Sequence, residues 1–103
     1  MLKEEYAVMP EPEWGCGAIL SGEVATRTQP IMYAHRSERI DEFDSGWQFT
    51  AGAQDSLDAT QMKLWRLDKV AELEPSLTSY LALPFGTILT RIERSDIWNV
   101  ESC

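Results

Sequence analysis

Residues 44–52 read DSGWQFTAG, and the fold turns on this stretch. Trp47, Phe49 and Ala51 alternate with Gln48, Thr50 and Gly52, a period of two with its apolar side chains all on one side. That spacing predicts a half-buried strand with aromatic residues inward and a polar outer face. The preceding Asp-Ser-Gly is a turn signal that closes a charged loop, SERIDEFDSG (37–46).

Working outward, CGAIL (16–20) reads as a short buried strand ending in a turn at SGE, and IMYAHR (31–36) as a second strand beyond the loop TRTQP. These two are expected to pair as a hairpin with a long connection. AQDSLDATQ (53–61) has room for one helical turn, and MKLWRL (62–67) alternates again, though weakly, as a strand does. From Asp68, a candidate cap, the period changes to three and four: Val70, Leu73, Leu77, Tyr80 and Leu81 mark a helical face, with a break near Glu74 ahead of Pro75. Pro84 closes that segment, and FGTILTRIE (85–93) is β-branched, a last strand entered through Gly86. Trp98 either folds back onto the domain or marks a free end.

This order predicts an α+β domain: an antiparallel sheet of about four to five strands, with a short helical segment packed on one face. Residues 1–15, with Pro10 and Pro12 among acids, are expected to be an extended arm, 16–93 the domain and 94–103 a tail. With 103 residues, 44% of them apolar, the chain can bury a core of its own.

Seventeen acidic residues against nine basic ones give a formal charge of −8, which opposes the phosphate neutralisation that nucleic-acid binding needs. Eleven of the acids but four of the basic residues precede residue 59, a field that would steer a basic partner toward the first half of the chain. MLKEEYAVMP has no apolar signal core, and the uncharged run from Pro75 to Thr90 is too short and polar to cross a bilayer. A cytoplasmic protein with no membrane partner is expected.

Cys16 and Cys103 are too few for a disulfide framework, and with His35 they show no zinc spacing. His35 has no nucleophile at a recognisable spacing, and the pair of glycines in GCG lacks the Lys-Ser/Thr of a phosphate loop. No catalytic residue, metal or cofactor is assigned, and the chain is read as a non-enzyme. Asp41, Glu42 and Asp44 precede the aromatic strand while Asp55 and Asp58 follow it. If they converge, they form an acidic rim beside Trp47 and Phe49, the pairing of anchor and steering charge that protein interfaces use. The alternative places Trp47 in the core.

YAHRSE (33–38), DSGWQFTAG (44–52) and LPFGTILTR (83–91), in that order, resemble the bacterial immunity-protein family numbered thirty-three. The resemblance rests on Met32, Tyr33 and Arg36; on Asp44, Ser45, Gly46, Trp47, Phe49 and Gly52; and on Pro75, Pro84, Gly86 and Arg91. It runs from about Cys16 to Ile92. One departure is that Gly52 is followed by Ala53 and Gln54, where the family often has acidic residues.

The resemblance implies an antidote of a polymorphic-toxin system that neutralises a protein partner by direct binding. Its motif residues Asp44, Ser45, Gly46, Trp47, Phe49, Gly52, Pro84 and Gly86 are expected to be structural. The rival reading is a small-molecule binding module framed by Trp47, Trp65 and Tyr33.

Overall fold

The computed structural model describes residues 12–52 and 60–102. In chain order the elements are β1 (Gly17–Leu20), α1 (Gly22–Ala25), β2 (Tyr33–Arg36), β3 (Asp44–Thr50), β4 (Lys63–Arg66), α2 (Leu67–Leu73), a 3₁₀ turn (Pro75–Leu77), β5 (Thr87–Thr90) and β6 (Asn99–Ser102). The strands form one sheet in the order β4-β1-β3-β2-β5-β6.

The α+β class holds, but the sheet is mixed and has six strands. β1 runs parallel to β3, while the other neighbouring pairs are antiparallel. β1 and β2 do not form the expected hairpin, because β3 lies between them and pairs with both. Periodicity reports which side of a strand is buried and says nothing of its neighbours. β3 is the longest strand and carries the two large aromatics, so the central position covers both its edges and one whole face.

Three local readings also change. Residues 22–25 are a one-turn helix capped by Ser21, whose Oγ accepts from Val24 N at 3.3 Å. α2 begins one residue before Asp68, with Arg66 as its N-cap residue, so Asp68 sits in the first turn instead. In the stretch read as a tail, residues 99–102 form the sixth strand and Trp98 is buried. Residues 1–11, 53–59 and 103, where most of the expected arm, most of the possible helical turn and Cys103 fall, lie outside the described residues.

One sheet face carries Ala18, Leu20, Ala34, Trp47, Phe49 and Leu89, all fully buried together with Leu67, Val70, Leu77 and Leu81 of the helical layer. The helical spacing thus selected the residues that close the core, and the break came at Pro75 as the first residue of its turn. Trp47 stacks on Phe49 with ring centroids 5.8 Å apart, and its Nε1 donates to the Leu81 carbonyl at 3.0 Å. Truncating aromatics in such positions costs about 3–5 kcal/mol. The opposite face is half-exposed. Across it one row of paired residues runs through all six strands: Leu64, Ile19, Gln48, His35, Ile88 and Glu101.

DSG is where β3 departs from regular pairing. Gly17 faces Asp44 and Ile19 faces Gln48, so two steps along β1 match four along β3. Ser45 fills the irregularity: its Oγ donates to Gly17 O at 2.7 Å and accepts from Trp47 N at 3.2 Å. Gly46 has φ +86, and a Cβ there would stand 2.1 Å from the Ser37 carbonyl oxygen. Only glycine fits.

A second fixed point holds the C-terminal strands. Arg91, buried, donates to Ile31 O at 2.7 Å and to Glu74 Oε1 at 2.8 Å, and its guanidinium lies 4.2 Å from the centroid of the Trp98 ring. Ser76 donates to Glu74 Oε2 at 2.6 Å and accepts from Trp98 Nε1 at 3.0 Å. Burial pushes the Glu74 carboxyl up. The hydrogen bonds from Arg91 and Ser76 and the charges of Arg91 and Arg94 outweigh this and hold it below its ordinary value.

Two stability outcomes follow from this packing. Gly46→Ala is expected to destabilise the domain by roughly 3 kcal/mol or more, because it adds left-handed strain and a backbone clash. Gly15→Ala, exposed and with no atom within 4 Å of its added Cβ, serves as the near-neutral control in denaturant unfolding. Glu74 binds a proton less readily folded than unfolded. Its contribution is therefore complete above the unfolded carboxyl value of about 4.3 and is lost as pH falls through the lower folded value. Thermal melts should show Glu74→Gln below wild type at neutral pH, with the gap closing as pH drops below about 4.

Candidate partner-binding surface

The loop between β2 and β3 is pinned at its backbone by its own acids. Asp44 accepts from Ile40 N at 3.0 Å through Oδ2 and from Gly46 N at 2.9 Å through Oδ1, while Asp41 Oδ1 accepts from Phe43 N at 2.8 Å. Ser37 N donates to Gly46 O at 2.9 Å, and Gly17 N to Phe43 O at 2.6 Å, which ties both loop ends to the sheet. Asp and Asn turns of this kind are local substitutes for a backbone ladder.

With its main chain held, the loop turns its large side chains outward. Ile40 is 87% exposed and Phe43 72%, and Glu38, Asp41 and Glu42 are exposed beside them. Leu64 of β4, 74% exposed, lies near the loop's backbone: a Cβ on Gly17 would come within 3.1 Å of Leu64 Cδ1 and 3.5 Å of Phe43 O. The result is an aromatic and two aliphatic side chains, unburied, among carboxylates.

The base of the loop is braced by charge. Arg36 Nε donates to Ser45 O and its Nη1 to Leu83 O, both at 2.8 Å, and the guanidinium sits 4.6 Å from the Phe85 ring centroid. Glu13 pairs with Arg39 and lies 3.7 Å from Arg36 Nη2. Burial pulls the Arg36 pKa down and the Glu13 charge opposes that pull. The turn at Pro84–Gly86, with Gly86 at φ +94 and its N–H on the Arg36 carbonyl, closes the same corner.

Of the sequence-selected acids, the structure brings Asp41, Glu42 and Asp44 into one loop, in two roles. Asp44 is half-buried, with both carboxylate oxygens bound to backbone; Asp41 and Glu42 face solvent. Asp55 and Asp58 lie outside the described residues.

Trp47 and Phe49 are wholly buried, so the apolar partner of these carboxylates is Phe43, with Ile40. Sequence reasoning passed over both. The signal was there in DEFD: a phenylalanine among acids, in a loop, with no periodic neighbour to bury it. Gly52, at φ +143, lets the chain leave β3.

Cys16 is a free cysteine whose thiol is pushed up by burial and then by the Glu13 charge, so it stays protonated, donating to Glu42 O at 3.4 Å. His35 sits mid-row on the open sheet face between Gln48 and Ile88. Among the described residues no group of three or more His, Cys, Asp or Glu could hold a metal ion, so the loop carboxylates do not gather into a ligand set.

The family model described as Immunity protein Imm33 domain matches residues 18–101, from β1 into β6. This chain belongs to that family. The Imm33 match spans the sheet from edge to edge, including the sixth strand, and within it the DSGW motif is the clasp just described. No curated protein and no solved structure matches the chain.

The two roles in this Imm33 loop separate by mutation. Phe43→Ala should leave the melting temperature within about half a kcal/mol equivalent of wild type. Asp44→Ala, which strands the Ile40 and Gly46 amides, should cost about 1–2 kcal/mol in chemical denaturation.

Proposed function

We propose that this Imm33 domain neutralises a protein toxin in the cytoplasm by direct, non-catalytic binding, and that loop 38–43 is its docking element. The supporting observation is the exposure of Ile40 and Phe43 on a backbone already fixed by Asp41 and Asp44. Preorganised anchors lose little conformational entropy on binding, and an aromatic ringed by charge is the usual form of an interface hot spot.

The partner that fits is basic. The chain carries −8, and Asp41 and Glu42 extend that field to the rim of the apolar patch. Such a rim acts on encounter, whereas the buried anchor acts on residence. In this reading the carboxylates occupy the place of an anionic substrate on the toxin and Phe43 holds them there.

The test is kinetic. With a toxin domain captured from the native host and identified by mass spectrometry, Glu38→Lys with Glu42→Lys, which leaves the Asp41 and Asp44 braces in place, should slow association about tenfold at low salt with an unchanged melting temperature. Phe43→Ala should act mainly on dissociation. An unchanged association rate in the double variant would remove this loop from the interface.

A further inference from the structure

On the helix side of the sheet, away from loop 38–43, lies an open cleft of about 700 Å³ lined by Arg27, Trp65, Arg66, Lys69, Glu72 and Leu73. Among the described residues its lining runs against the charge of the chain: three of the nine basic residues and one acid, Glu72, border it, in a protein of net −8. Arg66 pairs with Asp68 at 3.1 Å and Lys69 with Glu72 at 3.7 Å. Arg66, Lys69 and Glu72 are largely exposed and Asp68 is half-buried, so solvent weakens the hold of both pairs on their cations. Among the described residues Arg27 has no carboxylate partner, and its guanidinium stands 5.9 Å from the centroid of the half-buried Trp65 ring.

The backbone of Arg27 points the same way. It follows the Thr26 C-cap of α1 with φ 62, the position and conformation that glycine normally supplies at a helix end. An arginine there carries strain that glycine would not, and residues kept in such conformations mark sites where the side chain serves something besides stability.

We propose that this cleft binds an organic phosphate of mononucleotide size, the phosphate held by Arg27, Arg66 and Lys69 and the flat ring lying along Trp65. The volume suits such a ligand, paired donors from arginine match phosphate oxygens, and indole is the best stacking surface a side chain offers. This site stands independently of toxin binding, since it uses other residues on another side of the molecule.

Titration of the whole chain with AMP, followed by amide chemical shifts, should give saturable changes at residues 27 and 65–69. Adenosine alone should bind more weakly than AMP. Arg27→Gly should weaken AMP roughly tenfold or more while the melting temperature stays level or rises, because glycine relieves the left-handed strain. Trp65→Leu should weaken AMP more than inorganic phosphate. Absence of saturable AMP binding at millimolar concentration, adenosine binding as tightly as AMP, or an Arg27→Gly variant that binds normally would each overturn the proposal. Should Arg27→Gly fail to fold, Arg27→Ala takes its place: weakened AMP binding by the folded variant supports the proposal, and normal binding overturns it.

Discussion

The approach of the Ser37 carbonyl to Gly46 is the constraint on which the rest depends. Without a Cβ at that position, β3 can turn through a left-handed residue directly beneath the end of the preceding loop. Ser45 then bridges to β1 while Trp47 enters the core, and Asp44, one step earlier, is left to cap the loop. Three neighbouring residues thus fix three things: the offset between β1 and β3, the direction of the aromatics, and the shape of the loop outside. A motif that looks like a functional signature is a joint between core and surface.

Two buried arginines divide the remaining work. Arg36 ties the β3 irregularity to the turn at Pro84–Gly86 by donating to carbonyls on both, and Arg91 ties Ile31, Glu74 and Ser95 into one knot under Trp98. Arg36 donates to backbone carbonyls, Arg91 divides its bonds between the Ile31 and Ser95 carbonyls and the Glu74 and Ser76 side chains, and both guanidinium groups lie over aromatic rings. Such groups give little net stability compared with apolar packing, but a partner removed leaves a buried charge behind. Their value here is positional: each fixes where a loop leaves the sheet.

Much of the fold was legible because burial leaves a periodic trace. The alternation in 47–51, the three-and-four spacing of Val70, Leu77 and Leu81, and the break at Pro75 all follow from local geometry. Strand order does not. That β3 parts β1 from β2 depends on the whole set of strands competing for the central place, and nothing in the spacing of any one strand encodes it. Trp98 stayed ambiguous because its hydrogen-bond partners, Ser76 and Tyr80, lie 22 and 18 residues from it along the chain. At the surface the charge pattern located the loop, but attention to bulky aromatics went to Trp47, whereas exposure belongs to Phe43.

The central claim is that a loop made rigid by Asp41 and Asp44 offers Ile40, Phe43, Asp41 and Glu42 to a basic partner, with Leu64 alongside. Hydrogen exchange of the toxin complex against the free domain tests it most directly. The account predicts new protection at residues 38–43 and 63–65, with the amides of β5 unchanged. Protection confined to β5, β6 or the cleft beside Trp65, with loop 38–43 exchanging as in the free protein, would contradict it.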